Sequence, residues 1–119
     1  MRESTKAYLM TALWSSPDDN SEPLDDQYDI SDISECTVRQ SATDIQEFLA
    51  LCNHRDVRWW EDGHDLYTLM HDFWLTRNYH AAGFRDDDYS IWEDKLTEIA
   101  HMFPEVTLYV GDDDKIYHM

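Results

Sequence analysis

Apolar residues recur at steps of three and four along two long stretches of the chain, and this spacing predicts amphipathic helices. The clearer stretch is 34–53, whose opposite face is polar. Its apolar face carries Val38, Ala42, Ile45, Phe48, Leu49 and Cys52. Asp32, Ser31 and Ser34 each offer a side-chain cap for its first turn. The second stretch predicts a helix over residues 65–77.

A third helix is predicted to begin at Ser90 and to end before Pro104. Ser90 and Glu93 have the S-x-x-E spacing of a capping box, in which each side chain accepts a hydrogen bond from the other residue's backbone N–H. The buried stripe of this helix is expected to be Trp92, Leu96, Ile99 and Phe103.

The remaining elements are shorter. Residues 106–110 and 115–119 flank the turn-rich GDDD and predict a β-hairpin. An isolated hairpin is marginal in water, so we expect it to pack on the helices, joined in a sheet by residues 81–84 or by residues 4–14. Residues 4–14 fit a short helix with Ser4 or Thr5 as its N-cap, and their apolar positions fit a strand nearly as well.

These elements predict an α+β fold. We expect one small domain over residues 1–119, in which about three helices pack on a short antiparallel sheet that includes the C-terminal hairpin. Residues 15–35 carry eight acids and no base, and predict a solvated, partly mobile loop. Tyr28, Ile30 and Ile33 are expected to hold its second half to the core.

The net charge of the chain adds the most to what its fold predicts about function. The chain has 26 acidic and 9 basic residues, a formal net charge of −17, yet 42% of its residues are hydrophobic, so it differs from a disordered acidic tail. Such a field destabilises the folded state by self-repulsion, which favours a positively charged partner. Direct nucleic-acid binding needs clustered Lys and Arg and is not expected. An anionic membrane surface is disfavoured for the same reason, and no apolar run approaches the about 20 residues of a membrane span.

The acidic residues are clustered along the chain. A fixed array of carboxylates can occupy a cationic groove that normally binds phosphates, which is DNA mimicry. The simpler alternative is a solvated acidic surface without a partner. The candidate partner-binding acids are Asp18, Asp19, Glu22, Asp25, Asp26, Asp29, Asp32, Asp86, Asp87, Asp88, Glu93 and Asp94.

Neither a metal site nor a cofactor is predicted. Acidic loops starting at Asp18 and Asp86 lack the Gly and Glu that an EF-hand requires at its sixth and twelfth positions. His64 and His71 lie on one helical face but about 10 Å apart along it, too far to share one ion unaided. The cysteines do not form a C-x-x-C motif.

One group of side chains resembles a catalytic site and contains His71, Asp72, Arg77, Asn78 and His80. A histidine base, an orienting carboxylate and an anion-binding arginine would be its parts. Neighbouring helix positions point about 100° apart, so His71 and Asp72 are not expected to face each other. A structural role is therefore favoured, and no catalytic residue is predicted.

Trp59 and Trp60 are adjacent in a connecting segment where both cannot easily be buried. One of them is predicted to be an exposed anchor for a protein partner. Trp74 and Trp92 lie on apolar stripes and are expected in the core.

Cys36 and Cys52 are sixteen positions apart in the first long helix, which is too far for a disulfide. Both are interpreted as small core residues. Two unpaired cysteines fit a reducing cytoplasm.

Several runs resemble a family of small acidic proteins found mostly in bacteriophages and mobile elements. These runs are HDFWLTRNYHAAGF (71–84), DKLTEIAHMF (94–103) and LYVGDDDKIY (108–117). The N-terminal AYLMTALWSS and the acidic PLDD-x-YDI-x-D-I segment are also similar. The family usually has glycine where this chain has Tyr79 and Ala81, and an aromatic residue where it has Arg85. The resemblance implies a phage-like setting and a shared fold, and it carries over no catalytic residue.

Together these observations predict a non-enzymatic inhibitor encoded by a phage or mobile element and acting in the host cytoplasm. Its partner would be a host-defence nuclease complex with a basic nucleic-acid cleft, such as a CRISPR effector or a restriction enzyme. The alternative is an adaptor or inhibitor that docks through its aromatic patch, with the charge serving solubility. A third possibility is a small enzyme that uses His71 and His80.

Overall fold

The computed structural model describes residues 1–17, 21–80 and 83–119. Within these ranges the chain forms an α+β domain of four α-helices and one two-stranded antiparallel sheet. The elements are α1 (Glu3–Ser15), α2 (Glu35–His54), α3 (Leu66–Arg77), α4 (Glu93–Ala100), β1 (Leu108–Val110) and β2 (Ile116–His118). No helix in the described ranges is long and apolar enough to cross a lipid bilayer.

An aromatic core joins α1, α2 and α3. Phe48 of α2 stacks on Phe73 of α3 with ring centroids 4.1 Å apart, and Tyr8 of α1 packs on the same ring at 5.5 Å. Trp74 and Trp92 are also buried, as their apolar stripes predicted. Burial of these large side chains is the main source of stability in a domain of this size.

The N-terminal segment is a helix, so the strand alternative for residues 4–14 is wrong. It also begins earlier than predicted, at Glu3, with Arg2 at the N-cap position and no side-chain cap. Ser4 and Thr5 are buried inside the first turn and do not cap it. Apolar periodicity locates a helix better than it locates the helix's first residue.

The first residue of α2 agrees with one of its three predicted caps, and α3 begins at a cap that the sequence analysis did not name. Ser34 caps α2 by accepting a hydrogen bond from the Thr37 backbone N–H at 3.3 Å. Asp65 caps α3 by accepting from the Thr68 N–H at 2.8 Å. Both caps satisfy backbone donors that would otherwise have no partner.

The predicted Ser90–Glu93 capping box is wrong. Ser90 starts a 3₁₀ turn (Ser90–Trp92) at a positive φ of 52°, and α4 begins only at Glu93, without a side-chain cap. The Ser90 hydroxyl instead donates to a carboxylate oxygen of Asp62 at 3.2 Å. Asp62, which is distant in the sequence, thus replaces the Glu93 backbone as the partner of the Ser90 side chain.

The predicted C-terminal hairpin is present, with Leu108 opposite His118 and Val110 opposite Ile116. The N-terminal segment does not extend the sheet because it is helical. Gly83 and Phe84 form a turn and not a strand, and residues 81 and 82 lie outside the described ranges. The Phe84 N–H donates to the Thr76 hydroxyl at 2.9 Å and not to a neighbouring strand.

The acidic segment 15–35 has more structure than a loop in its second half. It contains 3₁₀ turns at Leu24–Asp26 and Ile30–Asp32. Ile33 is buried and makes an isolated parallel bridge to Ile116, and the Ser34 N–H donates to the Ile116 carbonyl at 2.8 Å. The segment is therefore attached to the hairpin.

The two cysteines of α2 have different environments. Cys52 is buried, as expected, and burial raises its thiol pKa to about 12. Cys36 is exposed, so its interpretation as a core residue is wrong: it lies in the first turn of α2, on the side facing solvent.

We expect a thiol reagent such as Ellman's reagent to modify the native protein in two phases. Cys36 should react at least about a hundredfold faster than Cys52, because only a thiolate reacts and the Cys52 thiol is both buried and protonated. In urea both thiols should react at similar rates. Cys36→Ser should abolish the fast phase alone, and equal native rates for the two thiols would contradict the burial of Cys52.

Candidate functional site

The fold brings two acidic segments that are distant in the sequence onto one surface. The Tyr28 hydroxyl donates to a carboxylate oxygen of Asp114 at 2.9 Å, across 86 positions of sequence. Together with the Ile33–Ile116 bridge, this contact places the 3₁₀ turns beside the tip of the hairpin. The resulting hairpin-side acidic surface consists of Asp25, Asp26, Asp29, Asp32, Glu35, Asp112, Asp113 and Asp114.

Several carboxylates of this surface are held by hydrogen bonds. Asp29 accepts from the Ser31 N–H at 2.9 Å, and Asp32 accepts from the Asp29 N–H at 2.9 Å, which completes a reciprocal cap of the second 3₁₀ turn. The Ser31 hydroxyl, followed by the Ser31 N–H, holds the pKa of Asp29 below its usual value. The Tyr117 hydroxyl does the same for the pKa of Asp113. These groups therefore stay ionised and ordered near neutral pH.

The described basic side chains near this surface include Arg39, Lys115 and Lys6, which lines one groove with Asp25 and Asp29. Among the described residues the ion pair of this surface is the one between Glu35 and Arg39, which are 3.8 Å apart and strongly exposed. Lys115 lies in the hairpin turn beside Asp113. Exposed pairs of this kind contribute about 0–1 kcal/mol, so the surface keeps a strong negative potential.

A second acidic surface lies where the segment before α3 meets the segment before α4. His64 Nε2 is 2.6 Å from the Asp88 carbonyl, and the Ser90–Asp62 hydrogen bond joins the same two segments. This helix-side acidic surface consists of Glu61, Asp62, Asp65, Asp86, Asp87, Asp88, Glu93 and Asp94.

Arginines partly neutralise the helix-side surface. Arg58 lies 3.5 Å from Glu61, and Arg85 lies 3.1 Å from Asp94 and 3.8 Å from Glu93. Among the described residues the hairpin-side surface has one ion pair and the helix-side surface has three, and we take the hairpin-side surface as the candidate partner-binding site.

The predicted acids are divided between these surfaces. Asp18 and Asp19 lie outside the described residues. Glu22 is exposed, and in the sequence it lies close to the residues of the hairpin-side surface. The sequence analysis did not place Asp112–Asp114 beside residues 25–32, because no local signal connects the hairpin turn with that segment. The contact between Ile33 and Ile116 makes that connection.

A different kind of cluster lies behind the helix-side surface. Asp72 of α3 is completely buried, with one oxygen 3.1 Å from His71 Nδ1 and the other accepting from the Tyr89 hydroxyl at 2.9 Å. The Asp87 carboxylate also lies within 4.8 Å of the other two ligand-type atoms. Burial, followed by the hydrogen bond with Asp87, raises the pKa of Asp72 to about 8.

The expectation that His71 and Asp72 would not face each other is wrong. Their Cβ directions differ as on any helix, but the two side chains are long enough to bend together, with Nδ1 and Oδ1 in hydrogen-bond range. Trp14 of α1 lies over the His71 ring, with centroids 6.0 Å apart, and covers the pair from one side.

The other members of the predicted catalytic group lie apart from this pair. Arg77 is buried at the C-terminal end of α3 and donates to Asp44 at 2.7 Å. Asn78 accepts from the Val106 N–H at 2.9 Å, which positions the chain before β1. His80 is exposed. The group therefore does not form one site.

Trp60 is 52% exposed and Trp59 is half-buried beneath it, with the two rings edge to face at 5.5 Å. This arrangement presents one aromatic side chain to solvent, at the edge of the helix-side acidic surface.

An open groove of about 750 Å³ borders the hairpin-side surface. Apolar side chains of α1, among them Met10 and Leu13, form one wall, and Ile30 contributes to the other. Asp25 and Asp29 belong both to this lining and to the acidic surface. A partner attracted by the carboxylates would thus also cover apolar area.

Comparison of the chain with protein-family models, with curated proteins and with solved structures gave no match.

Proposed function

We propose that this protein is a non-enzymatic inhibitor that occupies the basic nucleic-acid cleft of a host-defence nuclease complex, with the hairpin-side acidic surface in place of the phosphate backbone. The observation that carries the proposal is the joining of residues 25–35 to residues 112–114 by the Tyr28–Asp114 hydrogen bond and the Ile33–Ile116 bridge.

DNA mimicry requires carboxylates that are held at fixed positions. A cleft that binds DNA meets charges at fixed positions, and a flexible acidic chain would lose conformational entropy on entering it. Here the backbone under the acids is folded into 3₁₀ turns and a hairpin turn, and Asp29 and Asp32 are tied by their reciprocal cap. Binding would therefore cost little conformational entropy.

The charge balance supports the same role. A predominantly acidic surface speeds encounter with a basic partner and makes the affinity decrease as salt rises. Binding would also relieve the self-repulsion of a chain with net charge −17. The resemblance of several sequence runs to phage and mobile-element proteins suggests a nuclease of host defence as the target and the host cytoplasm as the location.

The test compares two variants with equal charge. Asp25→Asn, Asp26→Asn, Asp112→Asn removes three charges from the proposed surface. Glu3→Gln, Glu47→Gln, Glu105→Gln removes three exposed charges elsewhere. Displacement of labelled duplex DNA from purified restriction and CRISPR nucleases, followed by fluorescence anisotropy, should need about tenfold more of the first variant than of the parent, or about 1.4 kcal/mol. The second variant should match the parent.

The salt dependence completes the experiment. The first variant should also show a shallower decrease of affinity between 50 and roughly 200 mM salt, because fewer charges interact with the cleft. Equal losses in both variants would mean that net charge alone matters, and failure of the parent to displace DNA from any nuclease would contradict the proposal.

The exposed Trp60 supports a second candidate, an inhibitor or adaptor that docks through its aromatic patch. In the same assay, Trp60→Ala would then weaken binding by more than tenfold at every salt concentration, as expected for a central aromatic anchor. The acidic variants would bind like the parent. The two candidates therefore predict opposite results from the same set of proteins.

A further inference from the structure

Three ligand-type side chains converge at the middle of α3 and the segment that follows it. One ring nitrogen of His71 and one carboxylate oxygen each of Asp72 and Asp87 all lie within 4.8 Å of one another. His71 and Asp87 are half-buried and Asp72 has no exposed surface, so the group sits in a recess and not on open surface.

We propose that His71, Asp72 and Asp87 bind one divalent transition-metal ion, of the class of Zn²⁺ or Mn²⁺. One imidazole and two carboxylates are a ligand set that such ions accept, with a remaining position for water. Ligand atoms at about 2.0–2.2 Å from a tetrahedral ion are roughly 3.3–3.6 Å from each other, so the cluster needs to contract by only about an ångström.

The charges of the cluster favour a cation. Two carboxylates that approach each other in a buried place repel unless a proton or a positive ion lies between them. In the described part of the chain neither Asp72 nor Asp87 pairs with a lysine or an arginine, and the ring nitrogen nearest to Asp72 is Nδ1 of His71 at 3.1 Å. The surrounding acids of the helix-side surface would raise the local concentration of cations.

Neighbouring side chains would keep the ligands in place. The Tyr89 hydroxyl donates to the second oxygen of Asp72, and the ring of His64 stacks on Tyr89 at 3.9 Å. Trp14 covers His71 on the α1 side. Partners of this kind orient metal ligands and exclude competing water.

The proposal goes beyond the inhibitor function and does not depend on it. None of the three proposed ligands belongs to the hairpin-side acidic surface. It revises the sequence-based expectation of no metal site, which considered His64 with His71 and missed Asp72 and Asp87. His71 and Asp72 are adjacent and Asp87 follows Asp72 by fifteen positions, a spacing that matches no metal-binding motif.

The test is equilibrium dialysis of chelator-treated protein against Zn²⁺ or Mn²⁺, with excess Ca²⁺ present to occupy the surface carboxylates. The parent should bind one ion per chain and its melting temperature should rise with the ion. His71→Ala and Asp87→Asn should each weaken binding at least tenfold. Asp86→Asn and Asp88→Asn are matched controls, because they remove one charge from the same segment outside the cluster, and should bind like the parent.

Two results would overturn the site. One is binding of Zn²⁺ and Mn²⁺ by the parent no tighter than its binding of Mg²⁺, which needs no variant and so cannot be confused with misfolding. The other is an equal loss in Asp86→Asn and Asp87→Asn, which would show that the acidic surface attracts cations without a specific site. Circular dichroism of each variant establishes that the helices are retained.

Discussion

Replacing Arg77 by methionine is expected to lower the free energy of unfolding by about 3–5 kcal/mol. The guanidinium is 3% exposed and donates to a carboxylate oxygen of Asp44 at 2.7 Å, to the Tyr8 hydroxyl at 3.0 Å and to the Pro104 carbonyl at 2.8 Å. Methionine keeps most of the side-chain volume but leaves the buried Asp44 carboxylate without its cation. Urea unfolding followed by circular dichroism measures the loss.

Arg55→Met is the matched control. Arg55 also pairs with a carboxylate, Glu98 at 3.1 Å, but on the surface, so its loss should cost less than about 1 kcal/mol. Adding Asp44→Leu to Arg77→Met should restore part of the stability, because the uncompensated charge is removed. Similar costs for Arg77→Met and Arg55→Met would contradict the buried ion pair.

The second large effect is a dependence of stability on pH that comes from Asp72. Its folded pKa is about 8, well above the ordinary value near 3.8, so the folded state holds a proton that the unfolded state releases. The stabilising contribution is complete below about pH 4 and is lost as the pH rises towards 8. In chelator, the free energy of unfolding should fall by up to about 1.4 kcal/mol for each pH unit in that window.

Asp72→Asn isolates this contribution. The amide is neutral at every pH and nearly isosteric, so the variant should show a flatter profile between pH 5 and 8. The charged and titratable groups that face Asp72 are His71, Asp86, Asp87 and Tyr89, and they remain in both proteins. The difference between the two profiles therefore reports Asp72. Asp88→Asn should keep the parental slope, and identical slopes for the parent and Asp72→Asn would refute the raised pKa.

Local chemistry was sufficient for most of the fold. Repeats of three and four located α2 and α3, and Ser34, one of three candidate caps, located the first residue of α2. These features depend on atoms within about one helical turn, which a sequence displays directly. The hairpin was equally visible, because its strands and turn are adjacent in the chain.

Predictions failed where a distant partner competed with a near one. Ser90 and Glu93 have the spacing of a capping box, but the Ser90 hydroxyl donates a hydrogen bond to Asp62, 28 residues away in the sequence. His71 and Asp72 were expected to point apart, yet burial against α1 and the segment around Asp87 brings their side chains together. In both cases packing outweighs a local preference worth about 1 kcal/mol.

The candidate site likewise depends partly on features visible in the sequence and partly on long-range packing. The sequence by itself determined that the chain is strongly acidic, that its acids occur in runs, and that it has enough apolar residues for a core. Only the tertiary structure decided which runs share a surface, since the bond from Tyr28 to Asp114 spans 86 positions. Charge is a property of composition, whereas an electrostatic surface depends on distances that only packing sets.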